Sequence, residues 1–321
     1  MKTLLFAALI ALSWIAPAAP AAAQDPWPSK PIKLIVPYAP GGNTDAVARV
    51  LANYMQPVLK VPGVIESRPG GGGIVGTDAS AKSPPDGYTF CICSIGAITI
   101  SPATEKLPYD PINDIVPVSL LNTNPLILLV NPNLNINSVK ELIDYARGNP
   151  GKLNYSSSGI AGLTHFSAEL FKARTGVQMT HIPYRGGSPA TAAVIAGDVQ
   201  LVFTNMSDAV ALLDGGKVKV LAVTTSTRSP SAPNVPTMQE AGVPNYHTES
   251  WNALMAPKGT PQPIIERMAQ LAADMVKEPA VQKQMMNFGS VAVANTPAEF
   301  AKQIRDETAL WAGLVKEMAK N

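Results

Sequence analysis

The sequence predicts an α/β protein whose parallel sheets are covered by helices. Three observations carry that expectation. From Pro28 onward, short β-rich apolar runs alternate with segments of helical periodicity, the β-α-β pattern of parallel sheets. At 321 residues the chain is long enough for about two domains of ~150 residues. Hydrophobic residues make up 46% and charged residues 15%, against ~25% charged in typical soluble proteins. That composition supplies two cores and excludes a disordered chain or a coiled coil. Beyond the N-terminus no apolar run nears the ~20 residues of a membrane span.

The elements follow in order. Ile32–Val36 is a β-rich run ended by Pro37 and the loop 38–42. Ala46, Val47, Val50, Leu51, Tyr54, Met55 and Val58 then recur at helical spacing, with Asn43 or Thr44 available as cap and Asp45 in the first turn. Val64–Glu66 is a second short strand, followed by a glycine-rich turn and a helix through 79–81. Cys91–Ile95 is the third strand. Leu126–Val130 is a strand bounded by prolines 125 and 132. Ser138-Val139-Lys140-Glu141 is a capping box opening a helix that Gly148 closes. Leu163–Arg174 is helical, with Gly176 as its stop. Ser188-Pro189 opens the Ala-rich helix to Ala196. Strands are expected at Val199–Phe203, Val218–Thr224 and Trp251–Met255, with a helix around Asp208–Leu213. The remainder is helical over 263–276, 280–288 and from Thr296-Pro297-Ala298-Glu299 onward. In a parallel sheet ligands bind beyond the carboxyl ends of the strands, so loops 37–45, 94–99 and 155–165 are the ones to inspect.

The N-terminus reads as a leader. Lys2 precedes an apolar stretch from Leu4 to Ile15, and Ala21-Ala22-Ala23 forms a cleavage site before Gln24, which makes residues 1–23 a secretory signal peptide. The mature protein is expected to be soluble and exported. The formal charge of +2 is too small to suggest nucleic acid or anionic lipid as partner. Cys91 and Cys93 lie two apart on one face of a strand, ~6.6 Å between Cα atoms, near the edge of disulfide reach. Two buried, reduced thiols are the favoured reading. Zinc would need more ligands than two cysteines and histidines at 165, 181 and 247 offer.

Enzyme signatures are absent: there is no G-x-S-x-G elbow, H-E-x-x-H, Walker sequence or D-x-D metal loop. Ser157, His165 and Asp198 could be drawn as a triad, but spacing alone supports nothing. Gly71-Gly72-Gly73-Ile74-Val75-Gly76 matches G-x-G-x-x-G, yet the following strand lacks the acid a dinucleotide site needs. A backbone-exposing loop is the better reading, and no cofactor or metal is expected. The informative loops are Tyr38-Ala39-Pro40-Gly41-Gly42-Asn43-Thr44-Asp45 and Tyr155 to His165. Each ends a strand and opens a helix with Gly, Ser, Thr or Asn, a construction that suits an anion such as carboxylate or, alternatively, ordinary N-capping.

These residues resemble a family. Pro31 to Asp45, Arg68-Pro69-Gly70-Gly71-Gly72-Gly73, Pro84-Pro85-Asp86-Gly87-Tyr88-Thr89, Tyr109-Asp110-Pro111, Ile182 to Gly187, Gly242-Val243-Pro244, and Trp251 with Ala256 to Pro261 are similar to the tripartite tricarboxylate transporter solute receptors, or Bug proteins. The resemblance covers essentially the whole mature chain. It implies a two-lobed periplasmic binding protein of type II topology, with lobe 1 at 26–123 plus 250–321 and lobe 2 at 124–249. The lobes would be joined by strands near 124–128 and 247–251 and close on a ligand between them. It further implies a small carboxylate as ligand, permease subunits of a tripartite transporter as partner, a monomeric receptor and no catalysis. Rival functions are an enzyme hidden in the cleft, which turnover of a bound acid would reveal, and a sensory module serving a membrane kinase.

The resemblance assigns Tyr38, Ala39, Gly42, Asn43, Thr44 and Asp45, with Ser94 and Ala97, to the first lobe's half of the site. Ser157, Gly159, Ala161, Thr164 and His165 fall on the second lobe's serine-glycine motif, and Thr204 and Asn205 follow its later strand. Arg185 is either a ligand contact or a hinge salt-bridge partner; Trp251 is expected to pack between lobes. Two departures stand out. Ala161-Gly162 replaces a common Gly-Ser. Thr204 stands where the family often has Asp, which would disfavour an amino-bearing ligand and favour a plain dicarboxylate.

Overall fold

Loops that end parallel strands of two mixed sheets open toward one cleft, and the path of the chain explains why. The computed structural model describes residues 27–160, 162–213 and 215–318; the expected leader at 1–23 lies outside them. The first lobe begins with strand β1 (Ile32–Val36), helix α1 (Asn43–Leu59), β2 (Gly63–Ser67), α2 (Ile74–Ala81) and β3 (Thr89–Ser94). A π-helical turn at Gly96–Ile100 and the short α3 (Ser101–Thr104) follow. Strand β4 (Ile115–Val130) then leaves for the second lobe, which contains α4 (Val139–Gly148), β5 (Leu153–Ser157), α5 (Leu163–Thr175), β6 (Met179–Pro183), α6 (Gly187–Ala196), β7 (Leu201–Asn205), α7 (Met206–Ala209) and β8 (Lys219–Val223). The chain returns along β9 (Glu249–Pro257) and ends with α8 (Gln262–Met275), α9 (Pro279–Asn287), β10 (Val291–Ala292) and α10 (Pro297–Met318).

The strand order is β2-β1-β3-β9-β4 in the first lobe and β6-β5-β7-β4-β8 in the second. In each, three parallel strands are followed by one antiparallel strand borrowed from the crossing pair, the type II arrangement. β4 pairs with β9 as far as Pro125 with Glu249, then with β7 and β8 from Leu126 onward. Two strands therefore form the connection between the lobes.

Each sheet is sealed by the helix faces its sequence period anticipates. Ile32, Leu34 and Val36 of β1 meet Val47, Leu51 and Met55 of α1 in one cluster, all at most 1% exposed. Each such side chain contributes about 1.5–3 kcal/mol by burial. The expected capping boxes form: Ser138 accepts from the N–H of Glu141 at 3.1 Å, and Thr296 and Glu299 bond reciprocally at 3.2 and 2.8 Å. Among the described residues no helix is long and apolar enough to cross a membrane.

Two expectations are corrected. Cys91 and Cys93 form a disulfide, because β3 is contracted between them and brings their Cα atoms to 5.3 Å. That spacing lies well inside bridging range. The expected strand at 126–130 is only the end of β4, which runs through Pro117 and Pro125. Pro117 sits at a shift in register against β9, where a ladder N–H is not required.

Candidate functional site

Three helices begin at the cleft between the lobes, and none has a side-chain cap. Gly42 precedes α1, Gly162 precedes α5 and Gly186 precedes α6. The first N–H groups of a helix lack intrahelical partners and carry its partial positive charge. Asn43, Thr44, Leu163, Thr164 and Gly187, all first-turn residues, border one cavity. Tyr38, Gly42, Ser94 and Ile95 complete its first-lobe side; Ser158, Asn205 and Asp208 complete the second, and Ser250 lies on the connection. The cavity is small, about 30 Å³ counted at the centres of water molecules, where one water needs ~10–15 Å³. The lobes are closed, and among the described residues no Lys or Arg lines the space between them.

The wall is anchored to both crossing strands. Thr44 donates to Asn252 Oδ1 at 2.7 Å, and Asn252 donates through its backbone and side chain to Asn122 Oδ1 at 3.1 and 3.0 Å. Asn43 Oδ1 accepts from Asn122 and Asn124 at 3.3 and 3.4 Å. The start of α1 is thus tied to β4 and β9 together. Tyr38 donates to the carbonyl of Gly72 at 2.6 Å and stands 2.6 Å from Ser94 Oγ. Burial pushes its pKa up to about 12, so it remains a neutral hydroxyl.

Of the residues expected at the site, Tyr38, Gly42, Asn43, Thr44, Ser94, Thr164 and Asn205 line the cavity. Others lie behind or beside it. Asp45 is buried and accepts from the N–H of Gly41 at 3.0 Å and from Arg49 at 2.9 Å, ordering the loop. Ala39 donates its N–H to the carbonyl of Arg185 at 3.3 Å, so both join the lobes through backbone. Ala97 is buried, and its carbonyl accepts from Tyr109 at 2.7 Å. Ala161 lies outside the described residues. Trp251 packs edge-on against Phe300 and donates to Glu307 of α10 at 2.9 Å, within the first lobe.

Ser157, Gly159 and His165 do not line the cavity, because successive residues at the end of β5 face opposite ways and Ser158 takes the inward place. Ser157 Oγ lies 2.6 Å from His181 Nε2 and donates to the carbonyl of Gly159 at 3.0 Å. His181 stacks on His165 at 3.9 Å and on Tyr155 at 4.9 Å, beside Glu169 and Lys172. Gly159, at φ +146°, packs against Gly72.

This aromatic stack makes stability depend on pH. Burial, with His165 as a second cause, holds the His181 pKa down at about 4, and burial also lowers that of His165. Both folded values lie below the unfolded value of ~6.5. The contribution is therefore complete above about pH 6.5 and is lost as pH falls towards 4. The melting temperature should fall less between pH 7 and pH 4.5 in His181→Gln than in the parent. The difference should be on the order of 1–2 kcal/mol, discounted because the ring is partly exposed. Parallel melting profiles would rule the stack out as the cause.

The residue that sequence reasoning missed is Asp208. Thr204 is buried and does not itself line the cavity; its hydroxyl donates to Asp208 Oδ2 at 3.1 Å. One turn beyond Thr204, Asp208 brings to the cavity wall a carboxylate that the reading of position 204 alone did not anticipate. Burial pushes its pKa up to about 6, opposed by Thr204, Asn205 and Ser188 beside it. The only sequence cue was an acid four residues after Thr204, which read as an ordinary helix start.

The comparisons agree with this fold. The family model described as the tripartite tricarboxylate transporter family receptor matches residues 47–320. Protein BugT of Bordetella pertussis is 38% identical over 305 residues, 94% of this chain and 92% of that protein. Among solved structures, an R. palustris protein with adipate has a TM-score of 0.87 at 34% identity, covering 91% of this chain and 98% of its own. MatC from Rhodopseudomonas palustris with bound malate has a TM-score of 0.86 at 30% identity, covering 90% and 100%. These neighbours are solute-binding receptors and not enzymes. With its type II lobes and its cleft of converging helix starts, the chain belongs to the tripartite tricarboxylate transporter receptor family.

Proposed function

We propose that this chain is a periplasmic receptor that captures a small carboxylate, most directly a dicarboxylate, and presents it to the permease subunits of a tripartite transporter. The observation that carries the reading is the convergence of three uncapped helix starts on a cavity without cationic side chains. A carboxylate there would be held by backbone N–H groups and partial helix charges. The adipate and malate carried by two relatives support the same ligand class.

In this reading residues 1–23 direct export, the receptor is a monomer, and the lobes comprise 26–123 plus 250–321 and 124–249. The change of partner along β4 between Pro125 and Leu126 supports that division. The test is a thermal-shift screen of mono-, di- and tricarboxylates against sugars and simple amines. A ligand at a thousand times its Kd adds ~4 kcal/mol of stability, several degrees for a chain of this size. Shifts by dicarboxylates are expected; a screen in which only amines or sugars raise the melting temperature would overturn the reading.

A further inference from the structure

Asp208 is the only carboxylate among the described residues that line the cavity. Its Oδ2 accepts from Thr204, and Asn205 and Ser188 stand beside the carboxylate, yet Oδ1 is buried without a hydrogen bond of its own. Asn205 Oδ1, on the same wall, is likewise buried and unpartnered. Two unpaired acceptors facing one small space are costly unless a donor reaches them.

The glycines around Asp208 keep it open to the cavity. A Cβ on Gly187 would come within 2.1 Å of Oδ2, and one on Gly42, across the cleft, would sit 3.6 Å from Oδ1. Gly42 also opens α1, so the seat for a carboxylate and the unpaired Asp208 oxygen face each other across a few ångströms. A ligand filled only with carboxylates would set like charges together there. A donor on the carbon beside the bound carboxylate would satisfy both ends.

Resting on the receptor reading above, we propose that Asp208 selects, among small carboxylic acids, those carrying a hydrogen-bond donor, an ammonium or hydroxyl group, beside the carboxylate held at the helix starts. Asn205 supplies the second acceptor.

Calorimetry at pH 7.5 on the full mature chain tests it with matched acids. Four-, five- and six-carbon diacids and a four-carbon monoacid would each be used unsubstituted, 2-hydroxylated and 2-aminated. The donor-bearing member of the binding set should be at least tenfold tighter than its unsubstituted partner, and the hydroxy and amino arms identify which donor is taken. In Asp208→Asn, which keeps the side chain's size, that ratio should shrink at least tenfold. Unsubstituted acids binding the parent as tightly as their substituted partners would overturn the role of Asp208 and leave the receptor reading standing. An Asp208→Asn protein that folds and keeps the parent's ratio would overturn that role equally. Failure of the parent to bind any of the acids would overturn both. The parent's ratio decides the matter even if the variant does not fold.

Discussion

Replacing Gly42 by Asp is expected to abolish carboxylate binding, by a factor of at least ~10³, while leaving the ligand-free protein folded. Gly42 has φ −89° and ψ 179°, extended backbone that any residue adopts. Asp is among the preferred residues at the position before a helix, so the substitution even supplies the cap that α1 lacks. Its Cβ would meet nothing closer than Asp208 Oδ1 at 3.6 Å and Ser188 Oγ at 3.8 Å. The new carboxylate would therefore fill the cavity beside Asp208 and repel an incoming anion in a space from which most water is excluded. The two acids belong to different lobes, so the ligand-free variant relieves their repulsion by opening, and its melting temperature should change by only a few degrees. Calorimetry and thermal melting on the purified variant decide this. A folded Gly42→Asp protein that binds as tightly as the parent would mean the carboxylate sits elsewhere.

The second large effect is expected at Gly72. This residue has φ +63°, and a Cβ there would lie 2.2 Å from the carbonyl oxygen of Ile160 and 3.1 Å from the nitrogen of Gly162. Those are backbone atoms of the other lobe and cannot move aside as a flexible side chain would. Gly159 makes the reciprocal demand, since its own Cβ would sit 2.7 Å from the nitrogen of Gly72. Gly72→Ala should thus hold the lobes apart, weaken binding at least a hundredfold, and remove the ligand-induced decrease in radius of gyration seen by small-angle scattering. The left-handed backbone itself costs roughly 1–2 kcal/mol for a residue with a Cβ. Gly71→Ala separates the two causes. Gly71 has φ +55° but faces only Ile74 of its own lobe, at 3.4 Å. Equal loss of binding in both variants would trace the effect to backbone strain and refute the steric account.

The parts of the molecule governed by local physics were legible in the sequence. β1, the apolar period of α1 and the capping boxes at 138–141 and 296–299 formed as expected, whereas the cap expected of Asn43 or Thr44 did not: both lie inside α1, behind Gly42. Tyr38, Gly42, Thr44 and Ser94 were legible because strand ends that open helices face the cleft in such sheets. What escaped was set by geometry that a one-dimensional pattern does not carry. Ser157 and Ser158 differ only in which face the last residue of β5 presents. Pro125 reads as the start of a strand until its pairing with Glu249 of β9 shows that β4 runs on through it. Cys91 and Cys93 hinged on a contraction of little more than an ångström along β3. Asp208 entered the cavity because α7 turns back over the end of β7, placing it against Thr204.

The position of β9 has a consequence for the order in which the chain folds. All strands of the second sheet come from residues 126–223, so that sheet is complete once this stretch has emerged. The first sheet is not: Cys91–Ser94 of β3 pairs with Met255–Asn252 of β9, about 160 residues later in the sequence. Contacts so distant close slowly, and until they form β3 presents an unpaired edge able to join other chains. A chain emerging from its N-terminus would therefore finish its second lobe first and hold its first lobe open almost to the end of synthesis. Its aggregation hazard should lie in residues 89–94, and a holding chaperone would act best on that segment.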